Sequence, residues 1–190
     1  MKQNLDKFYK LVEAFEQLPT IGKKSAMRMA FYIVRQDKSF GLKLCNTIEE
    51  ATLTVKNCKK CGFISEHELC EICQDEHKDK AKLCIVQDVK DIFIIEQTRC
   101  FDGYYFVLDN INHEKIDELT QLIEERKTKE ILFAVSPSIA SDSFILFIED
   151  KLKDFDIKFH KIAQGVPTGV SLENVDILSV AKAINGKMMV

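Results

Sequence analysis

The sequence has no tryptophan, only three prolines and no long run of apolar residues. Because a membrane-spanning helix needs about 20 consecutive apolar residues, none is predicted. The 46% hydrophobic and 30% charged residues are typical of an ordinary globular protein rather than a disordered chain. The first residues, Met1 to Asp6, lack the apolar core of a signal peptide. We therefore expect a cytoplasmic protein whose thiols stay reduced.

The net charge of −3 is distributed unevenly along the chain. Residues 1–60 contain 12 lysines and arginines and only 6 acidic residues, whereas residues 61–190 contain 15 and 24. A basic first third suits contact with a polyanion, although a chance excess of solvated lysines produces the same count. Charge alone therefore does not identify a nucleic-acid-binding protein.

Hydrophobic periodicity changes along the chain and predicts four modules. The first is helical, and the second is polar with cysteines as its regular feature. The third alternates apolar strands with helices, which indicates a mostly parallel sheet with helices on both faces. The fourth is predicted to be a loop followed by an amphipathic helix, so the expected fold class is multi-module α/β. The modules span residues 1–56, 57–78, 79–164 and 165–190.

The elements within these modules follow from the spacing of apolar residues. In the first module we expect Asn4 to be the N-cap of a helix, a second helix to start near Lys23 or Ser25, and a third near Lys43. In the third and fourth modules we expect strands at 83–86, 104–108, 131–135 and 157–163, and helices at 88–98, 113–126, 141–152 and 174–184.

The cysteines of the second module have zinc-ligand spacing. Cys58 and Cys61 form one C-x2-C pair, Cys70 and Cys73 form another, and Gly62 supplies the backbone freedom of a turn around a metal. Four thiolates complete a tetrahedron and leave no position for water, so we expect a structural Zn²⁺. The alternatives are four ordinary buried cysteines, or a redox pair, which is disfavoured because neither pair is expected to open a helix after a strand. The total of seven cysteines is odd, which argues against disulfides, and the other cysteines are expected in the core: Cys45, Cys84 and Cys100.

The turn between the first two helices has the form of a phosphate-binding site. Leu18–Arg28 contains a proline and Gly22 before a helix, and the N–H groups and dipole of a helix N-terminus attract anions. Lys24 and Arg28 lie four residues apart on one helix face, and Lys23 lies at the turn itself. Such contacts ignore base identity, so we expect DNA binding without sequence specificity. The alternative is a plain helical hairpin with a solvated basic face.

Taken in order, these segments resemble the bacterial recombination mediator family RecR over essentially the whole chain. The family marks are a helix-hairpin-helix, a four-cysteine finger, a Toprim domain, a Gly-Pro-Gly segment and a Walker-B-like motif. They correspond to Leu18–Arg28, Cys58–Cys73, residues 80–164, Gly165–Gly169 and Leu172–Asp176.

The resemblance implies a ring-shaped homotetramer that surrounds single- or double-stranded DNA. It also implies work with RecO, and in some bacteria RecF, to load RecA onto single strands covered by SSB. Lys24 and Arg28 match the DNA-contacting positions of the family. We expect the C-terminal helix and the N-terminal helices to supply the contacts that close the ring.

The Toprim part departs from catalytic relatives. A catalytic Toprim domain has a glutamate after its first strand and an Asp-x-Asp pair after a later one, which together hold Mg²⁺. Here Gln87 stands at the first position, and Asp142 is the one acidic residue of the later loop. Gln87 is a poor Mg²⁺ ligand, so we expect a non-enzymatic protein.

Three hypotheses remain open on the sequence. The first is a DNA clamp and adaptor, and the second is a Mg²⁺-dependent nuclease or topoisomerase-like enzyme. Tyr104 and Tyr105 lie within a strand pattern and are expected to be core residues rather than nucleophiles. The third is a zinc-stabilised module that binds only protein.

Overall fold

Two compact units make up the chain, divided between Val55 and Lys56. The computed structural model describes residues 4–163 and 165–185. The expected module limits at residues 1, 164 and 190 lie outside the described residues, and the division into four modules stays a prediction. Each unit is described below by itself.

The first unit is helical. Helix α1 spans Asp6–Glu16, α2 spans Lys23–Phe31, a short π-helical turn covers Tyr32–Gln36, and α3 spans Lys38–Thr54. The second helix therefore starts at the first of the two expected positions. Its chain continues into the π-helical turn before α3 begins.

Two expected details of this unit are wrong. Asn4 does not cap α1, because Leu5 occupies the N-cap position and makes no side-chain hydrogen bond there. Helix α3 begins at Lys38, well before the expected start, because the Asp37 carboxylate accepts a hydrogen bond from the Phe40 N–H at 2.8 Å. An aspartate in this position satisfies an N–H group that a helix start otherwise leaves unpaired.

A four-stranded parallel sheet forms the centre of the second unit, in the order β4-β3-β5-β6. Its strands are β3 (Asp79–Val86), β4 (Gly103–Val107), β5 (Glu130–Ala134) and β6 (Lys158–Lys161). The helices that connect them are α5 (Val89–Thr98), α6 (His113–Arg126) and α7 (Ile139–Lys151). The alternation of strands and helices, with a parallel sheet, confirms the expected multi-module α/β class and fits a Toprim-like domain.

Each connecting helix begins at a polar residue whose side chain accepts a backbone hydrogen bond. Asp88 accepts from the Lys90 N–H at the start of α5, and Asn112 caps α6 in the same way. Ser138 accepts from the Ser141 N–H, which starts α7 slightly earlier than expected. These local signals explain why the helix positions were predictable from the sequence.

Helices cover both faces of the sheet. One face packs against α6 and α7 through a large apolar cluster that includes Phe106, Leu119, Phe133 and Ile148. The opposite face packs against Ile92 of α5. Both Tyr104 and Tyr105 are buried in the sheet, as expected of core residues.

Residues 165–185 are partly helical, and the helix predicted there starts later than expected. A 3₁₀ turn at Leu172–Asn174 precedes helix α8, Ile177–Asn185. The Asp176 carboxylate accepts a hydrogen bond from the Ser179 N–H at 2.9 Å. Helix α8 therefore begins directly after the Walker-B-like segment, which ends at Asp176. Among the residues described, no helix has both the length and the apolar character that a bilayer span requires.

Candidate metal centre and nucleic-acid interface

The four cysteines of the finger converge on one point. The sulfur atoms of Cys58, Cys61, Cys70 and Cys73 all lie within 4.8 Å of one another. The first three side chains are buried, and Cys73 is half-buried. Four thiolate donors at this separation match the tetrahedral four-cysteine set that holds zinc in structural sites. The cluster therefore fits the expected structural Zn²⁺.

The first cysteine pair sits on a tight turn between two short strands, β1 (Lys56–Asn57) and β2 (Ile64–Ser65). Gly62 closes this turn with φ +76°, and its N–H donates to the Cys58 carbonyl at 3.0 Å. A side chain at this position would approach the Val107 Cβ atom to 3.1 Å. Glycine is thus required both by the left-handed backbone and by the nearby strand.

Backbone N–H groups point at two of the sulfur atoms. The Cys70 N–H donates to the Cys58 Sγ at 3.3 Å, and the Phe63 N–H donates to the Cys61 Sγ at 3.4 Å. Such N–H···S bonds favour the thiolate form, which is the form that binds a metal. The turns of the finger therefore prepare these sulfurs as ligands.

The second pair does not open a helix after a strand, as expected, because a loop at residues 66–69 separates β2 from Cys70, although Cys70 itself opens a helix. It occupies the N-cap of α4, the single turn Glu71–Gln74. Its sulfur nevertheless lies 3.5 Å from the Cys61 Sγ of the other pair. The two pairs form one four-sulfur set, which favours metal binding over an isolated redox pair.

Hydrogen bonds between the thiols lower the pKa of some of these cysteines and raise the pKa of others. A hydrogen bond with Cys61 is the main cause that lowers the pKa of Cys58, and the reciprocal bond raises the pKa of Cys61. The pKa of Cys70 is lowered to about 7, because the opposing contact with Cys58 is outweighed by contacts with Cys61 and Cys73. Neighbouring thiolates repel one another, and a divalent cation bound by all four reduces that repulsion.

The remaining cysteines were only partly predicted. Cys84 is fully buried in β3, and burial raises its pKa to about 12. Cys45 and Cys100 are exposed, so their expected place in the core is wrong. Next to Cys100, Phe101 packs against the core while the thiol stays exposed, a difference that composition alone does not reveal.

The finger docks on the outer strand of the sheet. The Val107 N–H of β4 donates to the Cys61 carbonyl at 2.8 Å. Further along the same strand, the Tyr104 hydroxyl donates to the Asp75 carbonyl at 2.7 Å. The finger thus covers an edge that otherwise exposes unpaired backbone groups, and β4 is buried along its whole length. Sequence reasoning did not find this contact, because it joins residues far apart in the chain.

The helical turn places its basic side chains in solvent. Ala26 and Ala30 of α2 are fully buried against Val12 of α1, with further apolar side chains around them. The opposite side of α2 carries Lys24 and Arg28, whereas Lys23 lies at the helix start on the side of Ala26; all three predicted DNA-binding residues are exposed. None of these three forms an ion pair with an acidic side chain of the described residues.

The backbone of this turn leaves its helix start uncapped. Gly22 occupies the N-cap of α2, which therefore has no side-chain hydrogen bond to its first N–H groups. The left-handed residue of the turn is Thr20, with φ +67°, while Gly22 adopts an ordinary extended conformation with φ −87°. A Cβ atom on Gly22 would meet nothing within 4 Å. Glycine is not required there by the conformation of the chain itself.

The Toprim edge holds few carboxylates. Val86, at the end of β3, pairs with Val107 of β4 and Ala134 of β5, so Gln87 follows at the common carboxyl end of the strands. Asp142 lies in the first turn of α7, and Lys161 of β6 contacts its carboxylate at 3.3 Å. This ion pair was not expected, because it joins two segments with no local sequence signal.

Comparison with known proteins covers both the separate modules and the whole chain. Residues 8–52 match the family described as RecR, helix-hairpin-helix, and residues 55–75 match the RecR four-cysteine zinc finger domain. A protein from Campylobacter jejuni subsp. doylei named recombination protein RecR is 49% identical over 185 residues, which is 97% of each chain.

Relatives of the same name occur in other bacteria. The protein from Nitratiruptor sp. is 48% identical over 190 residues, the full length of both chains. The protein from Helicobacter pylori is 42% identical over 187 residues, or 98% of this chain and 97% of the relative. Identity at this level over the whole length, together with the matched helical hairpin and the four-cysteine centre, assigns the chain to the RecR family of recombination proteins.

Proposed function

We propose that this protein is a non-enzymatic DNA clamp and adaptor of recombinational repair. In this proposal it acts with RecO, and in some bacteria RecF, to load RecA onto single strands covered by SSB. The uncapped, basic N-terminus of α2 is the observation that carries the proposal. The helix-hairpin-helix family to which this unit belongs supports DNA binding.

The DNA grip consists of Lys23, Lys24 and Arg28 together with the start of α2. The three side chains are exposed, and the backbone N–H groups beside Gly22 have no side-chain acceptor. A phosphate placed at this helix start meets N–H donors, the positive end of the helix dipole and mobile cations. Because these groups contact only the nucleic-acid backbone, the protein binds both single- and double-stranded DNA in this proposal, without sequence preference.

The Toprim edge supports an adaptor role rather than catalysis. Gln87 offers a neutral amide in place of a carboxylate, and Asp142 is engaged by Lys161. A metal-assisted strand cleavage needs a cluster of carboxylates around Mg²⁺. Among the described residues, the four cysteines form the only close group of three or more metal-binding side chains.

Exposed apolar helix faces support the ring-shaped homotetramer. In the second unit, α8 leaves Ile177 and Leu178 85% and 72% exposed. In the first unit, α3 has no buried residue and leaves Leu42 and Leu53 71% and 80% exposed. Several large apolar side chains exposed on one helix are typical of a surface that another chain covers. Two such faces per chain are what a closed ring requires.

Binding of labelled single- and double-stranded DNA at two salt concentrations tests the proposal. We expect salt-sensitive binding that is strongly weakened in the Lys24→Ala/Arg28→Ala double variant, with the salt slope of the residual binding reduced by about 2. A matched control is Lys38→Ala/Lys43→Ala, which removes the same charge from exposed positions of α3. Normal binding by the first variant, or equal loss in both, would show that the proposed grip is wrong.

A further inference from the structure

The side chain of Arg126, the last residue of α6, contacts the zinc finger. Its guanidinium carbon lies over the face of the Tyr104 ring, 3.4 Å from the ring centre. One nitrogen, Nη2, lies 3.6 Å from the Sγ of Cys73. The side chain is thus held between an aromatic ring and a predicted zinc ligand.

The second terminal nitrogen of this guanidinium is shielded from solvent. The Nη1 atom of Arg126 is buried and has no hydrogen-bond partner among the described residues. A desolvated cation is unfavourable unless an anion lies nearby to compensate it. The atom in contact is the Cys73 sulfur, one of the four that would hold the metal. The guanidinium is therefore placed to be compensated by the negative charge of a metal-bound tetrathiolate.

A zinc ion bound by four thiolates provides that anion. The Zn²⁺ charge and four sulfur charges leave the centre with a net charge of about −2. Backbone N–H groups donate to the sulfurs of Cys58 and Cys61. Cys73 is the half-buried ligand, and its sulfur receives the charged donor Arg126 instead.

The same turn of α6 also contacts the first cysteine pair. Glu125 accepts a hydrogen bond from the Lys60 ammonium at 3.0 Å, and Lys60 lies between Cys58 and Cys61 in sequence. Consecutive residues of α6 therefore contact both halves of the finger. Position 126 is also favourable for a cation, since it lies at the negative end of the α6 dipole.

From these contacts we propose that Arg126 is a positioning residue of the zinc centre. It supplies part of the positive charge that the tetrathiolate needs, and it holds the Cys73 sulfur in its place among the ligands. The proposal rests on zinc binding by the four cysteines but not on the DNA-binding function. In consequence, a helix of the Toprim-like domain sets how tightly the finger holds its metal.

Zinc retention by the full-length protein tests this role. In Arg126→Met, which keeps a long side chain without charge, we expect zinc affinity to fall by about 10- to 100-fold in competition with a chelator. The rate of zinc release into excess chelator should rise in the same variant, because the charge that stabilises the tetrathiolate is gone. Lys127→Met is the matched control, since it removes one exposed charge from the same helix end. Unchanged zinc affinity and release rate in Arg126→Met, or an equal change in the control, would overturn the proposal.

Arg126→Lys separates charge from packing. A lysine keeps the positive charge beside Cys73 but loses the flat group that stacks on Tyr104. We expect this variant to lose thermal stability while retaining zinc to within about threefold, since the cation remains beside the ligand sulfur. If Arg126 served only packing, the Lys variant would release zinc as readily as the Met variant, which contradicts the proposal. If the Met variant does not fold, the Lys variant alone tests the role of charge. A loss of zinc affinity of about 10-fold or more in Arg126→Lys would refute that role.

Discussion

The ammonium of Lys161 lies 3.3 Å from a carboxylate oxygen of Asp142. The pair joins the start of α7 to β6, at the part of the sheet where a catalytic relative would hold metal-binding carboxylates. Both side chains are more than half exposed, so the pair contributes little to stability. The pair matters for function because the Lys161 ammonium already contacts the Asp142 carboxylate, which a metal ion would otherwise need as a ligand.

The first prediction concerns this pair. We expect Asp142→Asn to change the free energy of unfolding by less than about 1 kcal/mol, because the ion pair is exposed. DNA affinity, measured by fluorescence anisotropy, should stay at the level of the unaltered protein. A parallel incubation of DNA with Mg²⁺ tests the enzyme hypothesis. Strand cleavage that disappears in Asp142→Asn would support the nuclease alternative instead of a clamp.

Removal of zinc should affect the fold before DNA binding. We expect a chelator, or Cys58→Ser, to lower the thermal stability of the second unit and to dissociate the assembly, because a structural zinc contributes folding energy directly. Circular dichroism, size-exclusion chromatography and DNA titration at the same chelator concentrations give the order of events. Cys100→Ser is the control, since this cysteine is exposed and lies outside the cluster. Loss of DNA binding by a fully folded and assembled protein would contradict this order.

A third prediction uses the open space around Gly22. Because its φ is −87° and a Cβ atom meets nothing, we expect Gly22→Val to change the unfolding free energy by no more than about 1 kcal/mol. If a phosphate approaches this turn, the new side chain blocks it, and DNA affinity should fall by about tenfold, the equivalent of one lost hydrogen bond to a charged group. Thermal melting and anisotropy measure the two effects separately. Unchanged DNA affinity in a stable variant would place the phosphate elsewhere.

A fourth prediction concerns Cys84 at alkaline pH. Burial raises its pKa from 9.0 to about 12, so the folded protein binds this proton more tightly than the unfolded chain does. The contribution to stability is therefore complete below pH 9.0 and is lost as the pH rises towards about 12. We expect stability to decline less steeply over this range in Cys84→Ala than in the unaltered protein. Denaturant unfolding at several pH values, with Cys45→Ala as the control, measures the difference, and identical slopes would contradict it.

The parts of the structure that were predictable depend on local signals. The order of strands and helices follows from apolar spacing and from capping residues such as Asp88 and Asn112, which act within one turn. The spacing of the cysteines predicted their convergence for the same reason. The start of α3 was missed because the cap at Asp37 lies before a glycine-containing segment that resembles a break.

Contacts between distant parts of the chain were not predictable. Nothing near Arg126 in sequence indicates that it meets Cys73, and nothing near Lys161 indicates that it meets Asp142. Both contacts depend on how strands and helices stack after folding, which periodicity does not specify. The exposure of Cys100 has the same origin, since an apolar neighbourhood in sequence does not fix which side chains face the core.

The hydrogen bond from Val107 to the Cys61 carbonyl has a consequence for the life of the protein in a cell. The outer strand of the sheet is protected only while the finger remains folded, and the finger folds around its metal. We therefore expect a newly made chain without zinc to present a bare strand, which is prone to pair with other chains and aggregate. On this expectation, the supply of zinc limits how many chains stay available for assembly.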